Sequence, residues 1–253
     1  MEQMNSNLVV EHVSKTFYSS DGYFTAVEDV SFSLNDGEFL VILGPGRCGK
    51  TVLLNMIAGI EEKSGGSILY KGEEKKGIHP DFGMVFQSLA LMPFKTVMEN
   101  VELPLKLRGV KKEERRRTAQ HYIELVGLQG FEKSYPHELS GGMKQRVGIA
   151  RAYTANPKVL IMDEPFGQLD AQTRYSMQNE ILRIWEAERR TVIFVTNNIE
   201  EACYLGDRII LLSDCPATVK EIYPIDLPRP RDMVSEEFLK IRTVISDNTD
   251  LAI

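Results

Sequence analysis

The sequence predicts an α/β protein whose core is a mainly parallel sheet, and three observations support this prediction. Short, wholly apolar runs such as Phe39 to Leu43 and Val159 to Met162 have the composition of parallel strands that are buried on both faces. Stretches with helical spacing, such as Asp170 to Glu188, follow these runs along the chain. The resulting alternation of strand and helix indicates a sheet that is covered by helices on both faces.

Two runs near the N-terminus, Leu8 to Phe17 and Ala26 to Leu34, alternate apolar and polar residues as half-exposed strands do. A turn is predicted between them at Ser19 to Gly22, and Ser67 to Tyr70 is predicted as a further short strand. We expect these strands to form an antiparallel β subdomain.

The stretch from Glu38 to Leu54 combines a strand, a glycine-rich loop and the start of a helix. Gly44 to Thr51 matches the pattern GxxxxGK[ST]. The N–H groups of such a loop form an anion nest, and the following helix adds its positive end. Lys50 is expected to reach the β- and γ-phosphates of a nucleotide, and Thr51 to bind Mg²⁺. A chance match is the alternative, but the flanking strand and helix favour a P-loop NTPase core.

The pattern changes from Ser88 to about Tyr135. Val97 to Leu107 and Glu113 to Leu125 have helical spacing, and no parallel-strand pattern is found between them. We therefore expect residues 88–139 to form an inserted helical subdomain. The charged run from Lys111 to Arg117 is expected to be a solvated helix start, with a functional basic patch as the less favoured alternative.

Strands and helices alternate again after Ser140. Asn198 opens one of these helices, and Glu201 three residues later gives the capping-box pattern. The predicted elements are a helix at Gly141 to Ala155, strands at Val159 to Met162 and Thr191 to Val195, a strand at Arg208 to Leu212, strands or loops at Pro216 to Ile225, and a last helix at Glu236 to Ile245.

Two further motifs carry chemistry. The strand from Val159 to Met162 ends in Asp163 and Glu164. With a phosphate loop in the same fold, Asp163 is expected to hold Mg²⁺ with Thr51, and Glu164 to accept a proton from an attacking water. An exposed acidic pair at a strand end is the alternative interpretation.

The second motif is LSGGMKQR, from Leu139 to Arg146. Ser140 can cap a helix, and the two glycines after it leave backbone N–H groups bare for an anion. A helix cap alone does not need both Gly141 and Gly142.

This octet and the glycine-rich loop together resemble the ATP-binding-cassette (ABC) ATPases, over nearly the whole chain. The stretches from Met162 to Arg174 and from Ile225 to Asp232 are most similar to the ATPase subunits of nitrate, sulfonate and taurine importers. The resemblance implies a head-to-tail dimer, either of two identical subunits or with a second ATPase subunit. ATP on the loop of one copy then meets Ser140 and Gly142 of the other. It also implies transmembrane permease subunits, an indirect extracytoplasmic solute-binding protein, and a peripheral position on the cytoplasmic face of the membrane.

The resemblance also assigns roles to single residues. Phe17 is expected to stack on adenine, with a strand core position as the alternative. Gln87 is expected to sense Mg²⁺ and the attacking water, and Asp170 to lie where the two copies meet. The expected catalytic residues are Glu164, Gln87 and Asn197, the metal ligands are Thr51, Gln87 and Asp163, and the ATP contacts are Phe17, Gly44, Pro45, Gly46, Arg47, Cys48, Gly49, Lys50, Thr51, Val52, Ser140, Gly141, Gly142, Gln145 and Asp170. The nucleotide-binding core is expected at residues 1–87 and 140–253, with a C-terminal extension at residues 216–253.

The sequence departs from the family pattern at a few positions. Asn197 takes the place of a histidine that contacts the γ-phosphate, and losing a hydrogen bond to a charged group costs about 1.5–3 kcal/mol. Arg47 replaces a glycine, at a cost of about 1–2 kcal/mol if its φ is positive, unless Gly46 absorbs the change. Arg47 could instead add charge near the phosphates. Gln168 replaces an alanine, while Cys48 matches the family and is expected to pack the loop.

Composition and charge argue against some classes of function. The net charge of −6 argues against nucleic acid as the main partner, and three scattered cysteines indicate a reducing compartment without disulfides. No apolar run approaches the ~18 residues of a membrane span, so any membrane role is expected to come through a partner. Three hypotheses follow: an ATP-hydrolysing importer subunit, an ATP-binding dimerisation subunit with weak hydrolysis, and a cassette ATPase acting on nucleic acid or ribosomes.

Overall fold

The computed structural model describes residues 6–20, 22–167 and 169–249. The strands are β1 Ser6–Ser19, β2 Gly22–Asn35, β3 Phe39–Leu43, β4 Gly65–Tyr70, β5 Glu73–Glu74, β6 Phe82–Val85, β7 Val159–Asp163, β8 Thr191–Thr196, β9 Arg208–Leu212 and β10 Val219–Pro224. The helices are α1 Lys50–Ala58, α2 Val97–Val101, α3 Leu103–Leu107, α4 Lys112–Leu125, α5 Gly141–Thr154, α6 Ala171–Glu188, α7 Ile199–Leu205 and α8 Glu236–Asn248. The α/β prediction is confirmed.

The chain divides into two compact units. We call residues 1–79 together with residues 191–253 the P-loop unit, because it contains Gly44 to Thr51. Residues 80–190 form the signature unit, which contains the LSGGMKQR octet.

The strands of the P-loop unit form two groups. The first is an antiparallel sheet with the order β2-β1-β4-β5, in which β1 and β2 form a long hairpin. The second contains β3, which runs parallel to both β8 and β9, while β10 pairs antiparallel with β9. This arrangement places the carboxyl ends of three parallel strands side by side, which is where ligands bind in open α/β sheets.

The signature unit contains the parallel pair β6 and β7 and the helices α2 to α6. Val85 on β6 pairs with Met162 on β7, so the residues that follow the two strands leave the pair at the same end. Helix α2 begins with a capping box between Thr96 and Glu99. The helical pattern predicted from Val97 to Leu107 is present as two short helices, because Pro104 sits in the first turn of α3.

Burial matches the sequence pattern in the central strands. Every residue of β3, β7 and β8 is buried, as their uninterrupted apolar runs predict. Helix α1 ends as predicted at Gly59, which has a φ of 82°. A Cβ there would lie 1.9 Å from the carbonyl oxygen of Gly77, so this position accepts only glycine.

Other boundaries differ from the prediction. Strand β5, of two residues, has no recognisable pattern in the sequence and was not predicted. Helix α8 continues to Asn248, beyond the predicted end at Ile245. In the turn predicted at Ser19 to Gly22, Asp21 lies outside the described residues.

Candidate functional site

The glycine-rich loop connects the buried strand β3 to helix α1. Gly44 and Pro45 are buried, and Val52 is half-buried in the first turn of the helix. Gly49 has a φ of 116°, and a Cβ at this position would lie 2.4 Å from the carbonyl oxygen of Ala26. Glycine is therefore required here both by the backbone conformation and by close packing.

Lys50 and Thr51 begin α1, and their side chains have different surroundings. Lys50 is 4% exposed, and its Nζ donates to the carbonyl oxygens of Gly44 at 2.9 Å and Pro45 at 2.5 Å. Thr51 and Gly46 are exposed, and a Cβ at Gly46 would meet no atom within 4 Å. An ammonium inside the loop, a helix N-terminus and open space beside Gly46 suit a phosphate chain.

Arg47 adopts the left-handed conformation itself, with a φ of 65°. The strain expected for a positive φ therefore lies at Arg47, and the alternative that Gly46 absorbs the change does not hold. A non-glycine residue in this conformation costs about 1–2 kcal/mol. The side chain is exposed at the outer edge of the loop.

Cys48 is wholly buried under the loop. A Cβ on Gly44 would lie 3.0 Å from its Sγ atom, so the thiol packs closely against the first turn of the loop. Burial raises the pKa of the Cys48 thiol. These features agree with loop packing and not with a reactive thiolate.

Asn197 directly follows β8, at the same end of the sheet where Gly44 follows β3. Leu43 and Thr196 are paired in register, so Asn197 and Gly44 are the next residues on neighbouring parallel strands. Asn197 is exposed. Asn198 caps α7, since its side chain accepts a hydrogen bond of 2.9 Å from the N–H of Glu201, as its position in the sequence predicts.

Phe17 lies near the tip of the β1–β2 hairpin and pairs with Phe24. Its side chain is 38% exposed, so the alternative of a strand core position does not hold. The Nζ of Lys15 lies 4.8 Å from the centre of its ring. Tyr18, which the sequence analysis did not single out, is 81% exposed and, as the next residue of the strand, faces the opposite side of the hairpin from Phe17.

In the signature unit, Gln87 and Glu164 come together after the paired strands β6 and β7. Nε2 of Gln87 donates to Oε2 of Glu164 over 3.4 Å. Glu164 has a φ of 41°, a conformation in which a residue other than glycine is strained. Asp163, the last residue of β7, is 4% exposed. The structure thus holds the expected base in contact with the expected sensor of the attacking water.

Ser140 caps α5 by accepting a hydrogen bond from the N–H of Met143. The two glycines that follow have different surroundings. A Cβ on Gly141 would make only an ordinary contact, 3.8 Å from Leu169, whereas a Cβ on Gly142 would lie 2.8 Å from Cγ2 of Thr173. Gly142 therefore has a packing reason to lack a side chain, which the sequence did not reveal.

Two other expected nucleotide contacts have contrasting positions. Gln145 is 3% exposed, and within the described residues its Nε2 has no hydrogen-bond partner. Asp170 is exposed and caps α6, accepting hydrogen bonds from the N–H and the Oγ1 of Thr173. These hydrogen bonds lower the pKa of the Asp170 carboxyl group.

Sequence reasoning missed Arg151, which connects α5 to the segment after Gln87. Its guanidinium donates to the carbonyl oxygens of Leu89 at 2.5 Å and Ala90 at 2.7 Å. Both acceptor residues have positive φ values, 57° and 43°. Arg151 thus stabilises a strained turn two residues beyond Gln87. No local pattern predicts this contact, because the donor and its acceptors are about 60 positions apart.

Residues 6–20, 22–167 and 169–249 contain no cluster of three or more His, Cys, Asp or Glu side chains that could hold a metal ion. Mg²⁺ bound with nucleotide needs no such cluster, since it uses one or two protein oxygens, phosphate oxygens and waters. The hydroxyl of Thr51 and the carboxylate of Asp163 are donors of this type. In the same residues, no helix combines the length and apolar character that a membrane span requires.

A family profile described as ABC transporter matches residues 27–167, more than half of the chain. The chain belongs to the ABC transporter family. It is an ATPase of this family with the P-loop NTPase fold, as the sequence motifs predict.

Similar ABC proteins cover nearly the whole chain. An uncharacterized ABC transporter ATP-binding protein of Methanocaldococcus jannaschii is 47% identical over 96% of this chain and 91% of its own length. The aliphatic sulfonates import ATP-binding protein of Bacillus anthracis is 40% identical, over 93% of both chains. The nitrate import ATP-binding protein of Synechococcus elongatus is 41% identical over 93% of this chain and 88% of its own length.

Solved structures of an ABC cassette resemble this one. The dimeric structure of the bacterial ABC transporter cassette MJ0796 has a TM-score of 0.77 at 31% identity, covering 87% of this chain and all of that one. A dimeric post-hydrolysis state of the same cassette, bound to ADP and phosphate, has a TM-score of 0.76 at 30% identity. Gln168, one of the departures from the ABC pattern, lies outside the described residues.

Proposed function

We propose that this ATPase drives the import of a small anion, with nitrate and sulfonate-like solutes as the substrate class. Relatives named as nitrate and sulfonate import proteins are 40–41% identical over 93% of this chain, which supports this class. The observation that carries the hydrolytic role is the hydrogen bond between Gln87 and Glu164. It holds a carboxylate beside an amide that can orient a water molecule, as general base catalysis requires.

The proposed roles at the site follow from the chemistry of each residue. Lys50 and the loop bind the phosphates of ATP, and Phe17 stacks on adenine. Thr51, Asp163 and Gln87 are the proposed contacts to Mg²⁺, which neutralises phosphate charge when it is bound. Glu164 accepts the proton of the attacking water, and Asn197 donates a neutral hydrogen bond to the γ-phosphate.

The proposed assembly contains two ATPase subunits packed head to tail, with Ser140, Gly141, Gly142 and Gln145 of one copy facing ATP on the other. Asp170 of each copy lies at their contact. Residues 88–139 form a helical subdomain that docks on transmembrane permease subunits, so the chain sits on the cytoplasmic face of the membrane. An extracytoplasmic solute-binding protein selects the solute.

A second candidate function is an ATP-binding dimerisation subunit with weak hydrolysis. The observation that favours it is Asn197, which is exposed at the end of β8 where the family has a proton-carrying histidine. Asparagine is shorter and cannot carry a proton.

The test is to purify the tagged chain with the permease subunits that accompany it, and to measure ATP turnover in proteoliposomes. The importer proposal predicts that turnover rises when a solute-binding protein loaded with nitrate or a sulfonate is added. The same binding protein without its solute is the control. Turnover that does not change when the loaded protein is added contradicts the substrate class, and the absence of any permease partner contradicts the importer.

A further inference from the structure

We propose that Arg231, in the C-terminal tail, is a positioning residue that holds α7 and thereby fixes Asn197 beside the phosphate loop. This inference rests on the proposed role of Asn197 in hydrolysis. It adds a function to a tail segment that the sequence only marked as typical of a subgroup.

The first support is how the end of α7 is satisfied. The last four carbonyl groups of a helix have no partner within the helix. In α7, Ala202 is bonded by the N–H of Gly206, while Cys203 and Tyr204 accept from Arg231 at 2.7 and 3.2 Å. Leu205 accepts from Arg229. Two arginines of the tail therefore complete the C-terminal end of this helix.

Arg231 is also anchored firmly itself. Its side chain is buried, and it donates to the carbonyl oxygens of Gly206 at 2.6 Å, Ile225 at 3.2 Å and Leu227 at 3.2 Å. A planar guanidinium can bridge carbonyls of two segments in this way, whereas a lysine ammonium is a single point of contact. The charge also suits the negative end of the helix. Burial lowers the pKa of Arg231 to about 10, so the group stays charged at neutral pH.

Arg229 extends the same connection to the strand before the phosphate loop. It forms an ion pair with Asp207, whose other carboxylate oxygen accepts from the N–H of Phe39 at 2.9 Å. Phe39 is the first residue of β3, which leads directly to Gly44. The tail therefore contacts both α7 and the base of the strand that carries the loop.

The opposite end of α7 carries the functional residue. The helix has seven residues, so it is about 10 Å long. Asn198 caps its start, and Asn197 comes immediately before. A short helix that is capped at both ends moves as one body, so releasing its C-terminal end is expected to displace Asn197 from the edge of the loop.

The experiment compares Arg231→Gln and Arg231→Lys with Lys240→Gln, which removes an exposed cation of α8. Turnover and KM for ATP are measured on the assembled transporter, and hydrogen exchange of residues 198–205 on the full chain. We expect Arg231→Gln to lower kcat about three- to tenfold and to speed exchange in α7, with KM within about twofold. Arg231→Lys is expected to fall between, and Lys240→Gln to match the wild type.

A double variant separates positioning from general stability. If Arg231 acts through Asn197, Arg231→Gln lowers kcat no further in an Asn197→Ala background. An additive loss in that background, or wild-type kcat and exchange in Arg231→Gln, overturns the inference. If Arg231→Gln does not fold, Arg229→Gln takes its place in each comparison. A wild-type transporter without turnover contradicts the proposed function alone. Unchanged α7 exchange in Arg231→Gln still overturns this inference, and faster exchange still supports the anchoring of α7 by Arg231.

Discussion

Leu43 and Thr196 are paired in register where the parallel strands β3 and β8 end. The chain continues from Leu43 into the glycine-rich loop and from Thr196 into Asn197. Asn197 therefore lies next to the start of the loop, and this position supports its proposed contact with the γ-phosphate.

Replacing Asn197 by histidine is expected to raise turnover about ten- to hundredfold, since a hydrogen bond to a charged transition state is worth about 1.5–3 kcal/mol. Steady-state ATPase of the assembled transporter measures this, with Asn198→Asp as the matched control. That control keeps the helix cap of α7, because aspartate caps as well as asparagine. An unchanged rate in Asn197→His would mean that the site is adapted to asparagine.

Arg47→Gly is expected to stabilise the chain by about 0.5–1 kcal/mol. The change removes about 1–2 kcal/mol of strain from the folded state. It also adds conformational entropy to the unfolded state, which offsets about 0.5–1 kcal/mol of that gain. Urea unfolding without nucleotide measures the change. Gly46→Ala is the control for the entropy contribution alone: its new Cβ would contact no atom within 4 Å, so a gain of about 0.4–1 kcal/mol is expected. If Arg47 adds charge near the phosphates, Arg47→Gly also weakens ATP binding. Equal or lower stability in Arg47→Gly would contradict the strain.

Gly142→Ala is expected to destabilise the protein by about 1–3 kcal/mol, since the new methyl group overlaps Cγ2 of Thr173. Thr173→Ser removes that carbon and keeps the hydroxyl that bonds Asp170, so it should rescue most of the loss. Gly141→Ala is the matched control: its methyl group makes only an ordinary contact, so it should unfold at or above the wild-type urea concentration. A failure of Thr173→Ser to rescue Gly142→Ala would show that another clash dominates.

Lys75 gives a pH-dependent prediction. It lines a cavity of about 470 Å³ beside the end of α1, and burial lowers its pKa from 10.5 to about 8. Between these values the unfolded chain binds more protons than the folded chain, so stability is gained from this group as the pH rises from about 8 to 10.5.

The measurement is the difference in unfolding free energy between wild type and Lys75→Met at pH 7.5 and at pH 10. We expect this difference to shift in favour of the wild type at the higher pH. Lys76→Met, which removes an exposed lysine of the same segment, is the matched control for the loss of a cation. A constant difference for Lys75→Met would contradict the lowered pKa.

Elements with a strong local signal were predictable from the sequence. The apolar run of β3, the αL glycine after α1 and the cap at Asn198 each follow from residues within a few positions. The signal fails for β5, since a two-residue strand has no period to detect. The sequence also left open whether Gly46 relieves the strain at Arg47, because only the backbone shows which residue adopts the left-handed conformation.

The sequence singled out residues of the candidate site, but it did not show the arginine contacts that hold the neighbouring segments. The family resemblance singles out Gln87, and the acidic end of β7 singles out Glu164. Their hydrogen bond agrees with the register of β6 and β7. The contacts of Arg151 and Arg231 join segments that are far apart in sequence. Such contacts depend on tertiary packing, which a local pattern does not encode.

The central claim is that this chain hydrolyses ATP with Glu164 as the base. Glu164→Gln keeps the size of the side chain and removes its basicity, and Glu186→Gln changes an exposed glutamate of α6 as the matched control. The decisive measurement is the ATP turnover of the assembled transporter. We expect turnover in wild type and Glu186→Gln, and a fall of at least about a hundredfold in Glu164→Gln with ATP still bound. Equal turnover in Glu164→Gln and wild type, or none in wild type, would contradict the account.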